Sequence, residues 1–247
     1  MQYLRAAIQF ITILPGGKTP AYHPREMIAY FPAVGLILGL ILAVFDAIVL
    51  QLWPGGLIAP ILDVILLVLI TGALHIDGLA DSADGLFGHR DRDTVLSIMK
   101  DSRIGVMGMA AVICALAIKF AGISAIPAQT SFQRFLILLL VPGLARSAMI
   151  FGIHWLPYGR PGGGTGFDLF ESPITIRDYW GLLVCLMLCL FLGWRGVWVL
   201  LAFTGLVIGI LYYYHRRMNC ITGDMLGAMT EAIESILFLA VSIGGMP

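Results

Sequence analysis

The chain has 247 residues, of which 59% are hydrophobic and 12% charged, with a formal net charge of zero. That apolar content exceeds the roughly 45–50% of ordinary globular proteins, and the balanced charge gives no basic surface to suggest nucleic acid as a partner. The expected fold class is all-α: a polytopic integral membrane helical bundle.

Residues 1–14 carry Arg5 within an apolar run, and the PGGK that follows lacks a small-residue cleavage site, so the stretch reads as a short interfacial helix lying on the membrane. Apolar segments then stand at 29–50, 57–74, 104–126, 135–153, 179–193, 196–214 and 230–245. A spanning helix needs about 20 apolar residues; the fifth segment is short, so the expectation is six or seven spans. No segment alternates with period two, which leaves helices rather than a barrel to satisfy the backbone in lipid. No repeat or low-complexity linker divides the chain, and residues 1–247 read as one integral membrane domain.

Basic residues set the orientation. Arg5, Lys18 and Arg25 precede the first span; Arg90, Arg92, Lys100, Arg103, Arg160, Arg177, Arg216 and Arg217 fall in the polar segments 75–103, 155–178 and 215–229; only Lys119, Arg134 and Arg195 fall on the other side. The three polar segments are therefore expected to face the cytoplasm, with the C-terminus outside if the spans number seven. Cys114, Cys185, Cys189 and Cys220 show no metal-finger spacing. Gly35 and Gly39, four apart, predict close helix packing within one chain or between copies.

The segment HIDGLADSADGLFGHRDRDTVLSIMKDSR, residues 75–103, concentrates the chemistry. Asp77, Asp81 and Asp84 stand at i, i+4 and i+7, within roughly 60° of arc on a helix. Converging carboxylates repel one another unless a cation sits among them, and an oxygen donor set completed by water and phosphate suits Mg²⁺. The competing reading is a loop of tight turns, since Asp-Gly pairs stand at 77–78 and 84–85; apolar residues at Leu74, Leu79, Ala80, Ala83 and Leu86 favour a helix. His75 points away from the Asp stripe and reads as a packing or hydrogen-bonding residue rather than a ligand. In MKDSR, Lys100 and Arg103 suit phosphate oxygens, while Asp101 is a candidate to complete the metal shell.

Further along, PGGGTG around Gly163 offers backbone N–H groups to a phosphate, or is an ordinary flexible loop. Thr222, Gly223 and Asp224 precede Glu231 and Glu234, and Asp224, Glu231 and Glu234 form a second acidic stripe. That stripe either binds substrate or is a solvated helix start. Arg146 lies in mid-span, where an unpaired guanidinium is costly, so it must pair with a bundle carboxylate or a bound anion.

HIDGLADSADG at 75–85, MKDSRIGVMG at 99–108 and TGDMLGAMTE at 222–231, with FITILP at 10–15 and FPAVG at 31–35, resemble the cobalamin synthase family, the adenosylcobinamide-GDP ribazoletransferases. The chain departs from the family pattern at His75, often acidic there, and at Cys220 and Ile221, where the family has Gly-Gly. The resemblance implies a Mg²⁺-dependent transferase of the cell inner membrane. Its active site would face the cytoplasm, and it would join adenosylcobinamide-GDP to α-ribazole or its 5′-phosphate with release of GMP. It further implies Asp77, Asp81, Asp84 and Asp101 for the metal, Asp84 or Asp224 as general base with Lys100 and Arg103 on the departing phosphate, and Arg146, Thr222, Gly223, Glu231, Glu234 and Gly163 toward substrate. The partners expected are those two substrates and the lipid bilayer, with a homo-oligomer left open. Two rivals stand beside it: a CDP-alcohol phosphotransferase acting on lipid, against which Asp81 follows Ala80 where that motif has Arg, and a cation transporter, which predicts carboxylates in the middle of spans.

Overall fold

The computed structural model describes residues 2–17, 23–127, 131–160 and 166–243. In chain order its helices are α1 (Gln2–Ile11), α2 (Pro24–Met27), α3 (Phe31–Leu52), α4 (Ile58–Ile70), α5 (Leu74–Leu86), α6 (Arg92–Ile98), α7 (Val106–Ser124), α8 (Ser131–Trp155), α9 (Trp180–Cys189), α10 (Trp194–Met218) and α11 (Gly223–Val241). Among the described residues there is no strand, only a single bridge between Tyr158 and Ile221. The all-α expectation holds.

A helix forms in each of the seven apolar segments, but they are not equivalent. Four stretches are long and apolar enough to cross a membrane: Pro24–Leu52, Val106–Ser124, Phe132–Trp155 and Trp194–Met218. Counting Ile58–Ile70 with Leu74–Leu86, two helices bent by 86°, gives five among the described residues, against the six or seven expected. The physical reasons are local. With 13 residues, α4 reaches only about 20 Å at 1.5 Å per residue, short of a hydrocarbon core of about 30 Å. Gly193, with φ at 58°, ends the short helical run that starts at Trp180. Three carboxylates lie on α11, which is buried along almost its whole length inside the bundle. Lipid-facing side chains are apolar, as with Leu40 and Ile48 of α3, Ile113 of α7 and Leu201 and Ile208 of α10. The protein is a polytopic helical membrane protein.

Tight backbone packing fixes the centre. A Cβ on Gly35 would strike the backbone of Pro142 and one on Gly39 the backbone of Leu139, so these two glycines bring α3 against α8 within one chain. At the corner between α4 and α5, Gly72 and Ala73 both adopt left-handed backbone, φ 58° and 57°. The Thr71 hydroxyl donates to the Leu67 carbonyl at 2.8 Å, closing the end of α4. The corner turns α5 across α11, where Gly78 stands so close to the Asp224 backbone that a side chain there would collide with it.

At the centre of the bundle two buried cations meet two buried carboxylates. Lys119 of α7 donates to Glu231 at 2.5 Å and to Glu234 at 2.7 Å, and Arg146 of α8 pairs with the other oxygen of Glu234. Lys119 is thus a core residue and not a loop charge. Two of the carboxylates also lie inside the bundle rather than at its end, but two cations neutralise them, which is not the open acidic lining of an ion path. Elsewhere in the bundle, Arg134 makes a two-pronged contact with Asp46 at 2.6 and 2.7 Å.

Candidate active site

The Asp stripe is helical: Asp77, Asp81 and Asp84 all lie within α5, and both Asp-Gly pairs are inside the helix rather than in turns. The surface it faces is the start of α11. Thr222 is the N-cap, its hydroxyl accepting from the Met225 N–H at 3.2 Å, and Asp224 follows in the first turn. A cleft of about 70 Å³ is lined by His75, Asp77, Gly78, Gly223 and Asp224 among others. Asp77 and Asp224, from helices far apart in the chain, therefore open onto one space.

Arg160 reaches into this group, pairing with Asp224 and donating to the Met99 carbonyl at 3.3 Å. It is held there by the strand-like join of 157–159 to 221, in which the Gly159 N–H donates to Ile221 and the Ile221 N–H to Pro157, at 2.9 and 3.0 Å. Burial first, then the charges of Asp77 and Asp224, push the Asp81 carboxyl up to about 6, with Arg160 acting the other way and Asp84 adding a little. Burial also raises the Asp224 carboxyl, Arg160 opposing and Asp77 adding to it. Four carboxylates thus stand against one guanidinium, an excess of negative charge that favours a bound cation or proton.

Asp84 is held differently. Its two oxygens accept from the Gly105 N–H at 2.6 Å and the Gly108 N–H at 2.8 Å, so it caps the start of α7 from a neighbouring helix. A Cβ on either glycine would overlap that carboxylate. Asp101 does not join the group around Asp81. It is turned to Arg103, with contacts of 3.0 Å and 2.5 Å, and these hydrogen bonds hold its carboxyl down to about 2. Asp84, Arg90, Asp101 and Arg103 share a separate groove of about 340 Å³ beside the cleft. Lys100 is exposed, and the Arg103 side chain is 86% exposed.

Of the residues expected to meet substrate, Thr222 is fully buried as a cap, and Gly223 lines the cleft. Arg146, Glu231 and Glu234 are brought together, but with Lys119 inside the bundle. The bundle carboxylate that Arg146 required is Glu234. His75 is buried and lines the same cleft as Asp77, and neither of its ring nitrogens has a hydrogen-bond partner. Gly163 lies outside the described residues. Sequence reasoning treated Arg160 only as a loop charge, although its place at the head of the PGGGTG run was a usable signal. Lys119 was counted with the charges of the far side although the expected span 104–126 contains it, and an intramembrane cation is the same signal that singled out Arg146.

The residues fit Mg²⁺ by donor chemistry. All the candidate donors are carboxylate oxygens, as a hard divalent cation prefers. Among the described residues no group of three or more His, Cys, Asp or Glu side chains closes on one point. Mg²⁺ is usually held by one or two carboxylates with water and substrate phosphates making up the rest, and a cleft bordered by Asp77 with Asp81 nearby offers that number.

A family model described as Cobalamin-5-phosphate synthase matches residues 3–242. An adenosylcobinamide-GDP ribazoletransferase of Pseudomonas putida is 38% identical over 242 residues, covering 96% of this chain and 97% of its own. Proteins of the same name from Syntrophobacter fumaroxidans and Desulforamulus reducens are 36% identical over 243 residues and 33% identical over 250. The first match covers 96% of this chain and 96% of the relative, the second 98% and 96%. No solved structure matches the chain.

Proposed function

The chain belongs to the cobalamin-5-phosphate synthase family, and from that premise we propose that it transfers the adenosylcobinamide phosphate of adenosylcobinamide-GDP to α-ribazole or its 5′-phosphate, releasing GMP. The observation that carries the assignment to this site is the opening of Asp77 and Asp224 onto one cleft beside Arg160. A pyrophosphate donor needs its charge neutralised and its acceptor alcohol placed opposite the leaving group. Asp77 and Asp81 hold Mg²⁺ in this reading, with Asp84 braced behind them by α7 and offering its remaining lone pairs. When bound, the ion supplies Lewis-acid polarisation of the phosphate oxygens.

The chain's own groups do the rest. Arg160 and the exposed Arg103 and Lys100 meet the phosphates of the donor and receive the charge that passes to GMP. The ribose hydroxyl oxygen of α-ribazole forms a bond to the phosphorus carried by the cobinamide, and the bridging P–O bond to GMP breaks. Asp224 takes the hydroxyl proton as general base. It suits that role better than Asp84, both of whose oxygens already accept backbone N–H groups. The site faces the cytoplasm from the cell inner membrane, on the side where most of the arginines gather.

The test is GMP release by purified protein given adenosylcobinamide-GDP, with and without α-ribazole, and with Mg²⁺ or chelator. Release that requires both α-ribazole and Mg²⁺, with the cobalamin product appearing in step, is the expected result. No release from folded protein under any condition overturns the reading.

A further inference from the structure

Beside the acidic cleft the structure holds a further concavity, of about 590 Å³, formed by the end of α8 and the segments 156–158 and 167–174. One wall is aromatic. Tyr158 contacts Phe167 edge-on at 5.7 Å between ring centroids and Phe170 at 5.1 Å, and Trp155 stands at the rim. Trp155 is 69% and Phe167 46% exposed, so flat apolar faces are left uncovered within a concave surface. The Tyr158 hydroxyl is shielded from solvent and has no hydrogen-bond partner, although a buried hydroxyl without one is costly.

The wall is tied to the acidic cleft. Tyr158 bridges to Ile221, three residues before Asp224, and Arg160 two residues further on pairs with Asp224. Tyr158 is near enough to Arg160 and Asp224 to be acted on by both charges. Two residues of extended chain cover about 7 Å, which is the scale on which a nucleoside separates the centre of its base from its ribose hydroxyls. We infer that this groove is the acceptor site, in which the planar benzimidazole base of α-ribazole stacks on the aromatic wall while its ribose hydroxyl reaches the cleft at Asp224. The inference rests on the transferase reading for the identity of its ligand.

A glycosylated benzimidazole has no N–H donor, so stacking on the aromatic wall leaves none unpaired. Guanine carries N–H donors along its pairing edge that the Glu171 carboxylate at the exposed side of the groove would accept, and what favours the acceptor base is the tie of the aromatic wall to Asp224 through the join to Ile221.

The test is equilibrium binding of α-ribazole and, separately, of GMP to the full chain in detergent, for the unaltered protein and for Trp155→Ala, Phe167→Ala and Tyr158→Phe, with two-substrate kinetics alongside. Loss of aromatic stacking should raise the α-ribazole Kd about 10-fold in the alanine variants, and Tyr158→Phe, which keeps the ring and removes only an enclosed hydroxyl, should leave it near the unaltered value, with the KM for adenosylcobinamide-GDP and the GMP affinity unchanged throughout. Unchanged α-ribazole binding in both alanine variants, or a change confined to GMP and the donor, overturns the inference. α-Ribazole binding that is lost in the alanine variants of a protein that never releases GMP upholds the groove and removes the transferase reading instead.

Discussion

Asp77 and Asp81 carry the heaviest burden of any side chains in the proposed reaction, and they differ from Asp84 in what holds them. Asp77→Asn and Asp81→Asn keep shape and remove charge, so turnover should fall by about 10²-fold or more while the thermal transition moves little. Near-normal turnover in both would take the metal away from this helix. Arg160 tests the opposite charge. Arg160→Ala should cost about 10²-fold in kcat, and Arg160→Lys should recover only part of it, because a lysine cannot reproduce the two contacts that the guanidinium makes to Asp224 and the Met99 carbonyl. Measuring kcat and KM for each variant under saturating Mg²⁺ decides both points.

At the scale of helices, the site depends on backbone approach more than on side-chain contacts. Gly78 lets α5 lie against the first turn of α11, so Gly78→Val should drive the two acid-bearing segments apart and abolish turnover. Gly35→Val should instead lower stability by about 1–3 kcal/mol through overpacking of α3 on α8, seen as a lower unfolding temperature with activity retained per folded molecule. The helical Asp stripe was legible from spacing alone, and so was the pairing demanded by Arg146. The corner at residues 71–73 was not, because an alanine in left-handed backbone sends no local signal, and without that corner α4 and α5 read as a span followed by a polar segment. The same blindness hid Arg160: what gives it a role is the join of 157–159 to 221, a contact between segments about sixty residues apart.

For the molecule as a whole, the buried cluster of Lys119, Arg146, Glu231 and Glu234 predicts a specific pattern of rescue. Lys119→Met alone leaves a carboxylate without its cation and should destabilise by about 3–5 kcal/mol. Adding Glu231→Gln restores neutrality, with Arg146 and Glu234 still paired, and should recover most of the loss in thermal unfolding of the detergent-solubilised protein. If single and double variants unfold alike, the cluster contributes packing and not charge balance. Four or five stretches among the described residues have the length and hydropathy of a span, against the six or seven expected from apolar segments in the sequence, because an apolar stretch enclosed by other helices looks the same in sequence as one bathed in lipid.

That cluster also bears on how the chain is made. Lys119 and Arg146 are synthesised well before Glu231 and Glu234, so during translation two cations occupy apolar helices with their partners still unborn. Until α11 arrives, α7 and α8 have reason to stay loosely inserted, with their charged side chains drawn toward the interface. When α11 emerges, with too many acids to be a comfortable lipid-facing helix, it is drawn inward between α7 and α8, and its first turn is delivered to the Asp helix at the same stroke. A nascent chain cut short before Glu231 would thus be a substrate for membrane quality control, and the enzyme gains its active site only in the step that completes its assembly.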